Sequence, residues 1–177
     1  MLKKEIKLKL TISKEKDFDD LFLEYHPLLY RYGQKLSGNS YLIEECIQEL
    51  FIYILEQEIV LSTIQHIKAY LFTSFRRRLF KRIKATNESI SDLPSNIQFS
   101  PEDFLIQQEE LEQKEKWVQS ALNSLPWRQR EVIYLRFFNN LTAKEIAEVM
   151  GIQSQVVSNV VYKALKKLRN EVGRSSS

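Results

Sequence analysis

LTAKEIAEVMGIQSQVVSNVVYKALKKLR, residues 141–169, is the stretch that decides the fold. Thr142 and Glu145 stand three residues apart at the start of a helical pattern, the spacing of a capping box, so a short helix is expected over 143–150. Gly151 can then take the positive φ that ends it. A second helix is expected from about Gln153, burying Val157, Val161, Ala164 and Leu168 at spacings of four, three and four. A short helix, a tight glycine turn and a longer helix with a polar outer side are the parts of a helix-turn-helix. The second helix would present Gln153, Ser154, Gln155, Ser158, Asn159 and Lys163. Gln and Asn can each make two hydrogen bonds to adenine, while Ser and Lys reach phosphates or other base edges. Lys163, Lys166, Lys167 and Arg169 continue a basic stripe. Val156 and Val160 are left partly exposed, to meet thymine methyls or a packing neighbour. Two other readings stay open here: the corner of a small helical domain, or a protein-docking surface.

Upstream, Leu125-Pro126-Trp127 marks a corner, and Val132, Leu135 and Phe138 give the helix after it an inward face. Helical periodicity runs from about Phe104 to Leu125. Before it, TNESISDLPSNIQFSPED, residues 86–103, has two prolines, several Ser and Asn and no sustained period, and reads as a linker that is mobile until something holds it. The first part of the chain is helical again. Phe18, Leu21, Phe22, Tyr25, Leu28, Leu29, Tyr32 and Leu36 form one apolar stripe, which Pro27 is expected to kink or split. Gly38 and Asn39 close it, and Ser40 can cap the next helix, which runs to about Gln57 and faces Ile43, Cys46, Ile47, Leu50 and Ile54 inward. A third helix covers roughly 64–84. LKKEIKLKLTI, residues 2–12, alternates too briefly for a strand and reads as a flexible leader. The expected fold class is all-α: two small helical domains, 15–85 and 105–170, joined by a polar linker over 86–104.

Charge divides along this plan. Residues 66–84 hold seven basic side chains and no acid, residues 91–115 seven acids against Lys114, and from Lys116 onward ten basic residues outnumber four acidic ones. An acidic partner is therefore favoured at each end and not in the middle. IKAYLFTSFRRRLFKRIK, residues 67–84, interleaves rings with cations, a composition suited to unpaired nucleic-acid strands: Arg76, Arg77, Arg78 and Lys81 for phosphates, Tyr70 and Phe72 for stacked bases. Leu71 and Phe75 are the core candidates of that helix, Tyr70 and Phe72 the more open pair. A membrane-surface helix is disfavoured because the rings are spread around the helix instead of forming one face. The helix before it carries Glu44, Glu45, Gln48, Glu49 and Tyr53, an acidic face that repels DNA and suits either solvent or a protein.

Catalysis finds little support. His26 and His66 have no Cys or acid at metal-ligand spacing, and adjacent pairs such as Glu44/Glu45 split across a helix surface. The single Cys46 excludes an internal disulfide. Early lysines interrupt any signal-peptide pattern, the longest apolar run is too short to span a bilayer, and the chain reads as soluble and cytoplasmic.

These residues resemble a known family. LNSLPWRQREVIYLRFFNN (122–140), followed by Glu145-Ile146-Ala147, Gly151-Ile152 and Ala164 to Leu168, is similar to the C-terminal promoter-binding domain of bacterial RNA polymerase sigma factors of the extracytoplasmic function (ECF) subfamily. LFLEYHPLLYRYGQKLSGN (21–39), EECIQELF (44–51) and IKAYLFTSFRRRLF (67–80) resemble, in order, that family's first helix, its polymerase-binding helix and its −10 helix. The pattern departs from the family at Arg77, commonly Asn, and at Ser158 and Val160, commonly basic. The resemblance implies a sigma factor without enzymatic activity or cofactor. Its partners would be core RNA polymerase, duplex and melted promoter DNA, and an anti-sigma factor, often membrane-associated, with no membrane insertion of its own. It assigns Glu44, Glu45, Gln48, Glu49 and Tyr53 to polymerase, Tyr70, Phe72, Arg76, Arg77, Arg78 and Lys81 to the −10 element, and the helix-turn-helix residues to the −35 element. The residues alone also allow a free-standing helix-turn-helix regulator or a protein-docking adaptor.

Overall fold

In the computed structural model, residues 2–57, 64–85, 97–100, 103 and 112–175 are described. Among them the fold is all-α: α1 (Leu2–Leu36), α2 (Ser40–Glu56), α3 (Ile67–Ala85), α4 (Glu112–Asn123), α5 (Trp127–Phe137), α6 (Ala143–Met150) and α7 (Ser154–Ser175). Two helical regions, α1–α3 and α4–α7, are joined by a linker. Residues 104–111, where helical periodicity was expected to resume, lie outside the described residues.

The structure changes one expectation for α1 and narrows another. The segment 2–12 is helix, not a leader separate from it, and Pro27 does not split the helix. Extending an existing helix adds one hydrogen bond per residue without a new nucleus, and the Lys, Leu and Glu of this segment are good helix formers. At Pro27 one backbone bond is forfeited. Tyr25 before it and Leu29, Tyr32 and Leu36 after it are all buried in the same core, and that packing holds the two halves in register.

Capping shifts by one position at α2. Asn39, not Ser40, is the N-cap, its Oδ1 accepting a hydrogen bond from the Leu42 N–H at 3.0 Å. Gly33 sits where α1 crosses its neighbours: a Cβ there would stand 2.6 Å from Ile43 Cγ2 and 2.9 Å from Phe75 Cζ. The absent side chain is what lets α1 approach α2 and α3.

In the second region the local signals hold. Thr142 and Glu145 form both halves of the capping box, α6 spans Ala143–Met150, and Gly151 closes it at φ 65°. Asn140 also takes a positive φ, 54°, a conformation Asn tolerates better than most residues. Val157 and Ala164 are buried, with Val161 and Leu168 packed against the core.

The two regions do not have separate interiors. One continuous buried cluster runs from α1–α3 into α5–α7, and α3 packs along α6. The linker takes part. Phe99 is only 1% exposed and packs, with rings tilted, near Phe138 (ring centroids 5.4 Å apart) and Tyr134 (6.4 Å), and Ile97 is also buried. Its backbone is tied by Asn123, whose Oδ1 accepts from the Phe99 N–H at 2.8 Å, and by Gln119 Nε2, which donates to the Phe99 carbonyl at 2.7 Å. From the first region, Lys35 Nζ donates to the Gln98 carbonyl (3.0 Å) and to Asp103 (2.6 Å). At 97–100 and at Asp103 the expected mobile tether is therefore anchored by both regions.

Candidate nucleic-acid and polymerase interfaces

The candidate recognition surface at the start of α7 is exposed as its periodicity requires. Gln153, Ser154, Gln155, Ser158, Asn159 and Lys163 are all exposed. Gln155 Nε2 donates to Asn159 Oδ1 at 3.2 Å, so these two amides are pre-arranged one turn apart. Ser158 Oγ donates back to the Ser154 carbonyl at 3.1 Å. Val156, 45% exposed, lies among them, and Tyr162 and Leu165 are also exposed further along. The capping box that starts α6 is electrostatically tuned. Burial opposes the Glu145 charge, but the Thr142 backbone and hydroxyl hydrogen bonds, with His66 and Lys68 nearby, outweigh it and hold the carboxyl below its usual range.

Helix α3 is shared among α1, α2, α5 and α6. Leu71 and Phe75 fill the core, as expected, and Leu79 joins them. Phe72 does so too, at 0% exposure with its ring 5.2 Å from that of Tyr32; the expectation of an open, base-stacking ring is corrected. A fully buried Phe is worth about 1.5–3 kcal/mol in removed apolar surface, so the larger packing site wins over solvent. Toward α2, Arg82 pairs with Glu49 and, at 3.3 Å, with Glu45. Arg78 lies over the Tyr53 ring at 5.0 Å. The hydrogen bond and charge of Glu49 raise the Arg82 pKa. Acidic α2 and basic α3 thus neutralise each other in part. Gln48 and Tyr53 remain exposed and Glu44, Glu45 and Glu49 are half-buried, with Glu44 Oε2 also 2.9 Å from His26 Nε2.

Toward the second region, Arg76 is not an open phosphate-binding cation. Its Nε donates to Glu131 Oε1 at 2.8 Å and its second guanidinium nitrogen to Oε2 at 3.2 Å. Its guanidinium also stands 4.4 Å over the Phe80 ring. Burial works against its charge, yet the Glu131 hydrogen bonds and carboxylate outweigh this and raise its pKa. Tyr32 Oη donates to Glu131 Oε1 at 2.6 Å, and burial together with that carboxylate holds the phenol well above its ordinary range. Glu131 itself is 0% exposed. Tyr70, Thr73, Ser74 and Arg77 line a cleft of about 470 Å³ against Ile64, Gln65, His66 and Glu148, and the buried Thr73 hydroxyl has no hydrogen-bond partner there. Arg77 and Lys81 are exposed.

Glu131 was legible only as part of a motif; its burial between Tyr32 and Arg76 carries no local sequence signal. No helix among the described residues is long and apolar enough to cross a membrane.

A helix-turn-helix with an open polar face, coupled to a basic-aromatic helix beside an acidic one, defines a two-region transcription protein. Residues 21–88 match the model of sigma-70 region 2 and residues 121–170 that of sigma-70 region 4. The chain belongs to the bacterial RNA polymerase sigma factors, in the ECF subfamily. It is 39% identical over 67 residues to RNA polymerase sigma factor SigV of Bacillus subtilis, a match spanning 38% of this chain and 40% of that relative's length. Over 161 residues it is 27% identical to the ECF sigma factor ShbA of Streptomyces griseus, spanning 85% of this chain and 84% of the relative. The fold is similar to that of sigma factor RpoE from Bartonella quintana, solved with the anti-sigma factor NepR: TM-score 0.57 at 19% identity, covering 89% of this chain and 98% of that one.

Proposed function

We propose that this chain binds core RNA polymerase and directs promoter recognition and DNA melting, contributing address and strand capture while the polymerase supplies the chemistry. One observation carries the reading: an acidic α2, a basic-aromatic α3 and an open helix-turn-helix lie in the order and at the positions of the two matched sigma regions. In this reading residues 15–85 bind the polymerase clamp and the −10 element, 86–104 are the linker, and 105–170 read the −35 element. Tyr70, Arg77, Arg78 and Lys81 meet the melted strand, with Arg76 joining them once freed from Glu131. Gln153, Ser154, Gln155, Ser158, Asn159 and Lys163 meet the duplex. Glu44, Glu45, Gln48, Glu49 and Tyr53 face polymerase. An anti-sigma factor, often membrane-associated as the family resemblance implies, is the regulatory partner; the Bartonella quintana relative was solved with an anti-sigma factor, NepR.

The test is reconstitution with purified core polymerase on a library of promoter fragments. Selective transcription from a subset of fragments, absent with core polymerase alone, is expected. Sequence-specific duplex binding at physiological salt that neither needs nor changes with polymerase would instead establish a free-standing regulator.

A further inference from the structure

The first two turns of α7 present a restricted chemistry. From Ser154 to Tyr162 there is no Lys or Arg. Val157 is buried and Val160 and Val161 pack against the core, which leaves Ser154, Gln155, Val156, Ser158, Asn159 and Tyr162 exposed. Part of their hydrogen-bonding capacity is already committed. Ser158 Oγ donates to the Ser154 carbonyl at 3.1 Å, so outward it can only accept. Gln155 Nε2 gives one hydrogen to Asn159 Oδ1 at 3.2 Å. That bond sets how both amides face and still leaves each of them a donor and an acceptor. Base edges in the major groove ask for different sets. Guanine shows two acceptors, N7 and O6, and is read best by the paired donors of a cation. Adenine shows one acceptor and one amino donor, which a single amide matches with both of its groups. In a helix-turn-helix the N-terminal residues of the second helix meet the base edges, and here amides stand at that end without a cation. Lys163, the first cation of α7, comes eight residues after Gln155, about 12 Å further along the axis. Gln155 and Asn159 are one turn apart, roughly 6 Å of rise against about 3.4 Å per base step, so they reach pairs within two steps of each other. Val156, 45% exposed, lies beside Asn159 at three-residue spacing and offers apolar surface there. Tyr162, 66% exposed, follows Asn159 by three residues and precedes Lys166 by four, at the boundary where amides give way to lysines.

We infer that α7 reads adenine·thymine pairs: Gln155 and Asn159 each take one adenine, Val156 the methyl of an adjoining thymine, and Tyr162 a backbone phosphate that fixes the register of the helix in the groove. No guanine is read by these turns. This rests on the helix-turn-helix meeting promoter duplex, as proposed above. The labour divides by chemistry. The two amides and Val156 specify sequence. The Tyr162 hydroxyl donates to a phosphate oxygen, and Lys163 and Lys166 neutralise the backbone beside it, contacts that set position but carry no base identity.

The test is selection of duplexes from a randomised pool by the full chain, at low salt where backbone contacts strengthen binding, followed by sequencing. The wild type should return A·T pairs at two positions no more than two steps apart. Gln155→Ala and Asn159→Ala should each relax a different one of them, by about five- to a hundredfold. Gln155→Arg should exchange adenine for guanine at its position, because a guanidinium donates to N7 and O6 together. A merely structural role would not produce that exchange. Uracil in place of the adjoining thymine should weaken wild-type binding about fourfold, the worth of one buried methyl-sized group, and Val156→Ala should remove the difference. Tyr162→Phe, which loses only the hydroxyl, should weaken binding to every sequence alike by about three- to tenfold and leave the motif unchanged. All four side chains are exposed, so circular dichroism should show the variants as helical as the wild type. A pool that yields no motif, guanine at the position that Gln155→Ala alters, or an unchanged motif with Gln155→Arg would overturn the adenine reading. Equal binding of thymine and uracil duplexes would remove Val156, and unchanged affinity of Tyr162→Phe would remove Tyr162. Transcription with core polymerase is measured separately. Promoters that the polymerase uses but that lack these A·T pairs leave the sigma function standing and refute this inference alone; a selected motif without polymerase-dependent transcription does the reverse.

Discussion

Replacing Phe72 and Tyr70 separately by Ala divides the two roles that one aromatic-basic helix can combine. Phe72 is completely buried and packs on Tyr32, whereas Tyr70, two residues earlier, is half-buried on the cleft beside Arg77. Phe72→Ala loses the transfer energy of a ring and leaves a cavity, about 3–5 kcal/mol. At about 2–4 °C per kcal/mol for a chain of this size, the melting temperature should fall by roughly 6–20 °C. Tyr70→Ala keeps more of its surroundings in contact with water and should lower the melting temperature by no more than a few degrees. In the polymerase complex it should instead reduce promoter opening, since stacking of one base on a ring is worth about 1–3 kcal/mol. The assay pairs thermal melting by circular dichroism with permanganate reactivity of promoter thymines, normalised to folded complex. A Phe72→Ala protein that melts like wild type but fails to open promoters would refute the packing argument and return that ring to the DNA. Equal opening by Tyr70→Ala and wild type would remove Tyr70 from the strand-binding surface.

Thr142→Ala should destabilise the helix-turn-helix by about 1 kcal/mol through loss of the N-cap. Glu145, whose carboxyl the fold holds below its usual range, contributes stability that is complete above the ordinary carboxylate range and is lost as pH falls through its lower folded value; the variant should therefore show a shallower acid limb in chemical denaturation, and an unchanged limb would contradict the assignment. Gly33→Ala sets a methyl against Ile43 and Phe75, and crowding of about 1–3 kcal/mol should exceed the gain in helix propensity of up to about 1 kcal/mol; a variant more stable than wild type in a urea melt would show that α1 can move away freely. Glu45→Lys with Glu49→Lys removes both partners of Arg82 and should weaken capture of core polymerase while the protein stays helical; undiminished pull-down would take these acids out of the interface. Asn159→Ala should alter −35 preference at one position by about 1–3 kcal/mol if its amide, now paired with Gln155, turns to a base edge. A selection that returns the wild-type −35 motif would contradict that contact.

What the sequence by itself determined is what neighbours along the chain can settle. The capping box of Thr142 and Glu145 spans three residues, the turn at Gly151 needs one, and the buried stripe of α7 repeats within a single helix. Such elements follow from short-range hydrogen bonding and periodicity, and the turn of the helix-turn-helix was legible to within about one residue. The ordered motifs also carried the family, because two helical patterns in sequence constrain far more than either alone. Apolar periodicity placed the core faces of α2 and α3 but left Phe72 undecided, since a ring at the edge of a stripe is buried only if another element covers it. That cover is Tyr32 from α1. Only tertiary structure could decide the fate of Arg76 as well. Its partner Glu131 is 55 residues away and Tyr32 is 99 residues from that same carboxylate, and no local pattern reports a pairing set by how two helical layers meet. The linker shows the same limit: Ile97 and Phe99 lack any period, and their burial follows from a crevice that exists only once both regions are folded.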